Sequence, residues 1–441
     1  GNGVERTAST NGSARLSDIR LPTATAPSHR AWKVRASAAA LRTTNPIRQV
    51  VDRMDWGERG DGDKRPTISL SIGDPTIFGN LVTSDVATEA VAEVVRSKRA
   101  NGYPPSVGYE QSRAAVAQVH SDPAKGIHLT ANDVVLTSGC SHALQLCIGA
   151  LADPGTNVLV PKPGFALYRT LLENAGVEIR EYPLIANQNW AVDLEALDDL
   201  IDHRSAAIVL NNPSNPCGAV FSAEHIGDIL RLCEQRRLPI IADEIYEGLV
   251  FGGTPWCSLA EINVSIGVPM VCVGGLAKSY LVPGWRLGWI LIHDVQEALA
   301  EVREGLYRLS TLTMGPNSLV QVALPTILRR IPPDWHKGLI RVLQRHADVS
   351  FHALSQCPGL RPYKAKGAMY IMTEIRTNHF RDIPDDLAFA QMLFNEEGVI
   401  VLPGRCFSAP NFFRVTYCAP EPELEDAYGR IMAFCRRHLH S

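Results

Sequence analysis

The sequence predicts an α/β fold: a large domain on a mostly parallel seven-stranded sheet, followed by a smaller α+β domain. Three observations carry this. Short apolar runs bounded by Gly, Pro, Asn and Asp recur from Thr67 to Ile292 and alternate with helical stretches, the pattern of strands joined by crossover helices. Polar residues such as Asn211 and Asp243 close several of those runs, and in open parallel sheets that edge is where ligands bind. Beyond about Gln296 long helical stretches take over, and shorter mixed elements follow from Met369.

Length and composition bound the rest. The 441 residues suit two to three domains at roughly 150 residues each. Apolar content of 45% and a charged content of 20% are ordinary for a globular enzyme. A net charge of -3 gives no attraction to nucleic acid or to an anionic membrane. No apolar run approaches the ~18 residues of a membrane span. The ten cysteines are scattered without a Cys-x-x-Cys pair and read as reduced thiols of an intracellular, cytoplasmic protein, Cys140 and Cys217 being small packing residues. No metal-ligand spacing stands out.

In chain order, residues 1–31 are rich in Ser, Thr, Ala and Arg and are expected to form a disordered arm. A transit peptide, and with it a mitochondrial location, is the alternative. Residues 32–72 read as an entry segment packing on the small domain, 73–325 as the large domain and 326–441 as the small one. The strand from Thr67 runs into a turn at Gly73–Pro75, where glycine either permits close approach to a ligand or only makes the turn. Tyr103 lies on a Pro-rich loop, placed either to donate to a phosphate or to pack.

Val134–Thr137 is the next strand, and Ser138-Gly139-Cys140-Ser141-His142 is a small-residue turn into an apolar helix. Strand, turn and helix N-terminus together suit an anion, with His142 a packing or capping residue. Phe165 follows the strand Asn157–Val160 and suits stacking on a flat ring, or the core. Ala206–Leu210 ends in Asn211-Asn-Pro-Ser-Asn215-Pro, a rigid turn presenting side-chain amides. Leu238–Ala242 ends in Asp243-Glu244-Ile-Tyr246. Asp243 is placed to pair with a pyridine nitrogen and Tyr246 to bond a phenolic oxygen, while Glu244 reads as solvated or capping.

Two strands, Val271–Val273 and Leu287–Ile292, flank a Gly- and Pro-containing loop with Lys278 and Arg286 and no carboxylate. Unpaired charge held away from water is costly. A lysine there suits attack on an aldehyde, and an arginine suits a phosphate. Aldehyde plus phosphate describes pyridoxal 5'-phosphate. Two ordinary solvated cations are the alternative. In the second domain Arg414 sits inside the apolar strand Phe412–Thr416, where it needs either a substrate carboxylate or a structural salt bridge.

From Trp32 onward the ordered set resembles the class I aminotransferases, pyridoxal-phosphate enzymes of fold type I, and among them the tyrosine aminotransferases. Its carriers are Ser69-Leu-Ser-Ile-Gly-Asp-Pro-Thr-Ile-Phe-Gly-Asn-Leu, Asn212-Pro-Ser-Asn-Pro-Cys-Gly and Gly274-Gly-Leu-Ala-Lys-Ser-Tyr-Leu-Val-Pro-Gly-Trp-Arg-Leu-Gly-Trp. The resemblance implies a catalytic set of Lys278, which forms the Schiff base, Asp243 and Tyr246. Tyr246 and Asn215 would contact the ring oxygen and Phe165 the ring face. Arg286 and Ser138, Gly139, Cys140, Ser141 and His142 would hold the phosphate, with Tyr103 reaching in from the other subunit of a homodimer. Arg414, Gly73 and Asn215 would meet the substrate. The implied reaction moves the amino group of L-tyrosine, and of other aromatic or small amino acids, to a 2-oxo acid such as 2-oxoglutarate. Two departures are visible. Gly275 stands where many members carry Ser, and Ser279-Tyr280 differs from the Arg-Trp of vertebrate tyrosine aminotransferases. A β-lyase or cyclopropane-forming synthase on the same fold, an aminotransferase preferring alanine or aspartate, and a silent cofactor-binding module are the rival readings.

Overall fold

The computed structural model describes residues 33–57 and 65–440. The expected arm at 1–31, Trp32 and part of the charged Gly-rich loop after Asp55 lie outside them. Residues 39–441 form one compact unit. Among the described residues no helix is long and apolar enough to cross a membrane.

The large sheet runs, in spatial order, Val134–Thr137, Gly288–His293, Met270–Gly275, Ile240–Asp243, Ser205–Asn211, Asn157–Lys162, Glu178–Ile185 and Ala191–Val192. The five strands from Met270–Gly275 to Glu178–Ile185 pair in parallel, and the remaining pairings are antiparallel. The central strands are apolar on both faces because helices cover both. Leu136, Leu159, Ile208, Leu210, Ile240, Ala242 and Met270 pack beneath the helices Asp85–Ser97, Ala223–Arg236 and Ser318–Arg330. The alternate residues Val135, Val158, Val160, Val209, Ile241, Val271 and Ile290 pack beneath Cys140–Leu151, Ala166–Ala175 and Ala300–Ser310. One strand thus feeds two cores by its period of two.

The strand count needs correction. Among the described residues eight strands form this sheet, not seven, and the strand at Thr67 is not one of them. Ile68–Ser69 pairs in parallel with Val399–Ile400, and Ile68 and Leu70 join the core of the small antiparallel sheet. The strands the sequence concealed are Glu178–Ile185 and Ala191–Val192. Glu178, Arg180 and Glu181 interrupt the apolar signal of the first, and only Tyr182 and Leu184 along it are buried. The second has two residues, below any period.

The small sheet has the order Leu360–Pro362, Tyr370–Ile375, Phe412–Thr416, Leu402–Pro403. Pro333–Ser355, Asp386–Glu397 and Glu421–His438 pack around it. The helix Pro46–Val51 starts at Asn45, whose side chain accepts from the Ile47 and Arg48 N–H groups. Its Ile47, Val50 and Val51 rest on Leu402, Cys406 and Phe407. Just upstream, the Arg42 guanidinium donates to the Asn174 carbonyl. Pro46–Val51 thus touches residues of the C-terminal part, and Arg42 touches a helix of the large sheet.

Candidate active site

The C-terminal ends of the parallel strands open into a cavity of about 700 Å³ that the small sheet closes from above. Asn211 and Asp243 are register partners on adjacent strands, as are Asp243 and Val273, so the topology alone sets Asp243 at the cavity floor.

Asp243 is 2% exposed. Its Oδ2 accepts from the Tyr168 hydroxyl at 2.6 Å and its Oδ1 from the Ile245 N–H at 3.2 Å. The Cys140 thiol points at the same Oδ1 from 3.8 Å. Burial pushes this carboxyl above the usual carboxylate range despite those hydrogen bonds, since no cation pairs with it among the described residues. Glu244 leaves the strand on the other side. Its Oε1 accepts from the Leu259 N–H at 2.8 Å, and burial beside Glu247 pushes it up to about 8. It caps, as one expectation had it, but it is buried rather than solvated.

Lys278 and Arg286 line the same cavity. The Lys278 Nζ donates to the Gly73 carbonyl at 2.5 Å. Arg286 adopts φ +51 and donates to the carbonyls of Pro283 and Ser138 at 3.0 and 3.3 Å. The expectation that both cations are withdrawn from water is corrected: Lys278 is half-buried and Arg286 exposed, because the cavity is open on their side. A Cβ on Gly139, at φ +81, would stand 2.5 Å from the Arg286 guanidinium, so only glycine lets the turn meet it. The helix Cys140–Leu151 begins there, and its first N–H groups have no acceptor within the helix. Cys140 and Ser141 line the wall. Ser138 and His142 build the turn, the Ser138 N–H donating to His142 Nδ1 at 3.1 Å, and burial holds His142 below its usual range.

Phe165 lines the cavity, edge-on to Tyr168 with ring centroids 5.8 Å apart. Tyr246 reaches it from below. Opposite, Arg414 is 3% exposed. It donates to Asn215 Oδ1 at 2.9 Å and to the Ser71 carbonyl at 2.6 Å. It lies over the rings of Tyr370 and Phe407, 4.4 and 4.8 Å from their centroids. Its Nε has no partner, and no carboxylate pairs with it among the described residues. The structural salt bridge is thereby set aside. Tyr103 is 84% exposed and is not brought to this chain's cavity. Every other residue expected at the site lies in or directly behind its wall.

Two residues escaped the sequence reading. Tyr168 lies in the first turn of the helix that Phe165 caps, three residues on and close enough to meet its ring. Tyr370 left no local signal: the register pairs Met372 with Arg414, which makes Tyr370 the diagonal neighbour.

Comparisons with known proteins now bear on this geometry. The family model "Aminotransferase class I and II" matches residues 65–431. The chain belongs to that family. It is 46% identical over 410 residues to tyrosine aminotransferase of Mus musculus, covering 93% of this chain and 89% of the relative. The crystal structure of tyrosine aminotransferase from Leishmania infantum superposes with a TM-score of 0.88 at 34% identity, over 93% of this chain and all of the other. Alanine aminotransferase from Pyrococcus furiosus gives 0.84 at 30%, over 92% of this chain and all of the other.

The residues of this aminotransferase fit the cofactor its family implies. An uncompensated buried carboxylate awaits a cation, a primary amine stands in the same cavity, and a helix N-terminus with an arginine awaits an anion. The departures also find an explanation. A Cβ on Gly275 would lie 2.8 Å from the Leu287 carbonyl, so the backbone leaves no room for a serine there. The Ser279 hydroxyl donates to the Glu247 carbonyl and Tyr280 stacks edge-on against His336, so neither departs at the cavity wall.

Proposed function

We propose that the chain is a transaminase acting on L-tyrosine with a 2-oxo acid acceptor such as 2-oxoglutarate. The observation that carries this is a single cavity with Lys278 and Asp243 on one side and a buried, partly unpartnered Arg414 on the other. Pyridoxal 5'-phosphate, when bound, supplies an electrophilic carbon and an electron sink. Asp243 would hold its ring nitrogen protonated, Tyr246 and Asn215 would hold its phenolic oxygen, and Phe165 would cover its face. Arg286 and the N–H groups at Cys140 and Ser141 hold its phosphate. Lys278 supplies the amine that would hold the cofactor's aldehyde and, as a free amine, would carry the proton from the substrate Cα as general base and then acid. Arg414 fixes the substrate carboxylate, and Gly73 leaves space beside it. Relatives named tyrosine aminotransferase support the substrate, and Ile47, Val51, Trp56, Ile72 and Leu402 add apolar surface to the cavity lining beside Arg48.

We read the working unit as a homodimer. Tyr103, Leu312 and Met314 are 84%, 78% and 55% exposed on two segments that meet where Gly315 approaches Pro104 and Pro105, and exposed apolar side chains there suit a second copy. Tyr103 would then serve the partner's phosphate. The ten unpaired, mostly buried cysteines fit a reducing, cytoplasmic setting. Incubation with L-tyrosine and 2-oxoglutarate should yield the aryl oxo acid and glutamate in equal amounts with ping-pong kinetics. Release of ammonia and pyruvate from substrates with a β-leaving group, without transfer, would instead make it a lyase.

A further inference from the structure

One buried hydroxyl at the cavity has no role in this account. Tyr370 is 1% exposed, and its hydroxyl lies 2.7 Å from that of Tyr246. The rings are perpendicular, with centroids 5.7 Å apart. Among the described residues neither hydroxyl has another hydrogen-bond partner. Two phenols at that distance share one hydrogen: one donates and the other accepts. If Tyr246 donated to Tyr370, it would have no hydrogen left for a ligand. If Tyr370 donates, the Tyr246 hydrogen is free to point into the cavity, and the bond it makes there is strengthened by the one it accepts. The Arg414 guanidinium over the Tyr370 ring fixes the ring from the opposite side. Gly73 keeps the approach open, since a Cβ there would stand 2.9 Å from the Tyr370 oxygen.

We propose that Tyr370 is a positioning residue: its hydroxyl donates to Tyr246 and so aims the Tyr246 hydrogen at the phenolic oxygen of the cofactor. The inference rests on the reading of Tyr246 given above. The charged and titratable groups that act on the pair are Arg414, Asp243, Lys278 and Tyr417, and none of them bonds either hydroxyl.

The test is a pH titration of the visible absorption of the cofactor-loaded protein, for wild type, Tyr370→Phe, Tyr246→Phe and the double variant. A donor lost from the phenolic oxygen weakens the hold on its charge, so the midpoint should rise. We expect a rise of about 0.5 unit in Tyr370→Phe and a larger one in Tyr246→Phe. The double variant should match Tyr246→Phe alone, because one residue acts through the other. Tyr370→Leu, which also removes the ring beneath Arg414, should give the midpoint of Tyr370→Phe with a KM raised about tenfold. An unchanged midpoint in both Tyr370 variants, or shifts that add in the double variant, overturns the proposal. Wild type that never acquires a visible band overturns the functional reading itself, and this inference with it.

Discussion

The two ends of the cavity solve one problem in different ways. At the cofactor end, Asp243, Lys278 and Arg286 sit at strand termini and in the loop between two strands, and Tyr168, Gly73 and Ser138 bond them there. At the substrate end, Arg414 sits in the middle of a strand and depends on groups far away in sequence: Ser71, Asn215 and Tyr370. The first end leaves its two cations partly wet and buries the carboxylate. The second buries a cation outright and satisfies it piecemeal, so that burial holds the Arg414 guanidinium below its usual range. On the proposed reading, chemistry is concentrated at the first end and recognition at the second.

The sharpest way to break this contrast is at the amine. Lys278→Ala should lower kcat by at least ~10⁴-fold, while the fold survives. Turnover near wild type would remove the cofactor end from the mechanism. Next comes Asp243→Asn, expected to lower kcat by roughly 10²–10³-fold with a smaller loss of cofactor affinity. Equal losses would make Asp243 a structural residue. At the other end, Arg414→Lys should raise KM about 10-fold or more for every amino acid and leave kcat closer to wild type, because the fork geometry is lost. An unaltered KM would place the carboxylate elsewhere.

The smallest expected effect lies behind the cofactor end. His120 is pushed up to about 9, against the cost of its burial, by Glu247, whose Oε2 lies 3.0 Å away, and burial lifts Glu244 to about 8. Both groups hold a proton in the folded chain that the unfolded chain has released, Glu244 from about pH 4.5 upward and His120 from about 6.5. The stability His120 gives is complete below pH 6.5 and lost as pH rises through 9; that of protonated Glu244 declines between 4.5 and 8. Thermal midpoints should therefore fall from pH 6.5 to 9, and His120→Gln should flatten the fall. A midpoint rising over that range would contradict it.

Legibility in the sequence followed the same division. The cofactor end was readable because central strands are uniformly apolar, so that Asn211 and Asp243 at their ends stand out. Arg414 was readable as an isolated charge in an apolar strand. Its aromatic support was not, because Tyr370 becomes its neighbour only through antiparallel register. The edge strand Glu178–Ile185 was hidden by its charges, and the openness around Arg286 by the absence of any local signal for solvent. Tyr103, which the loop alone left between donating to a phosphate and packing, is 84% exposed in the structure.

The most direct measurement is the visible absorption spectrum of the cofactor-loaded protein before and after L-tyrosine is added without any oxo acid. The account predicts a band that tyrosine converts, with one equivalent of the aryl oxo acid released per site, and that 2-oxoglutarate restores. A band that tyrosine leaves untouched would contradict the substrate reading. A protein that takes up no cofactor would contradict the assignment of Lys278 itself.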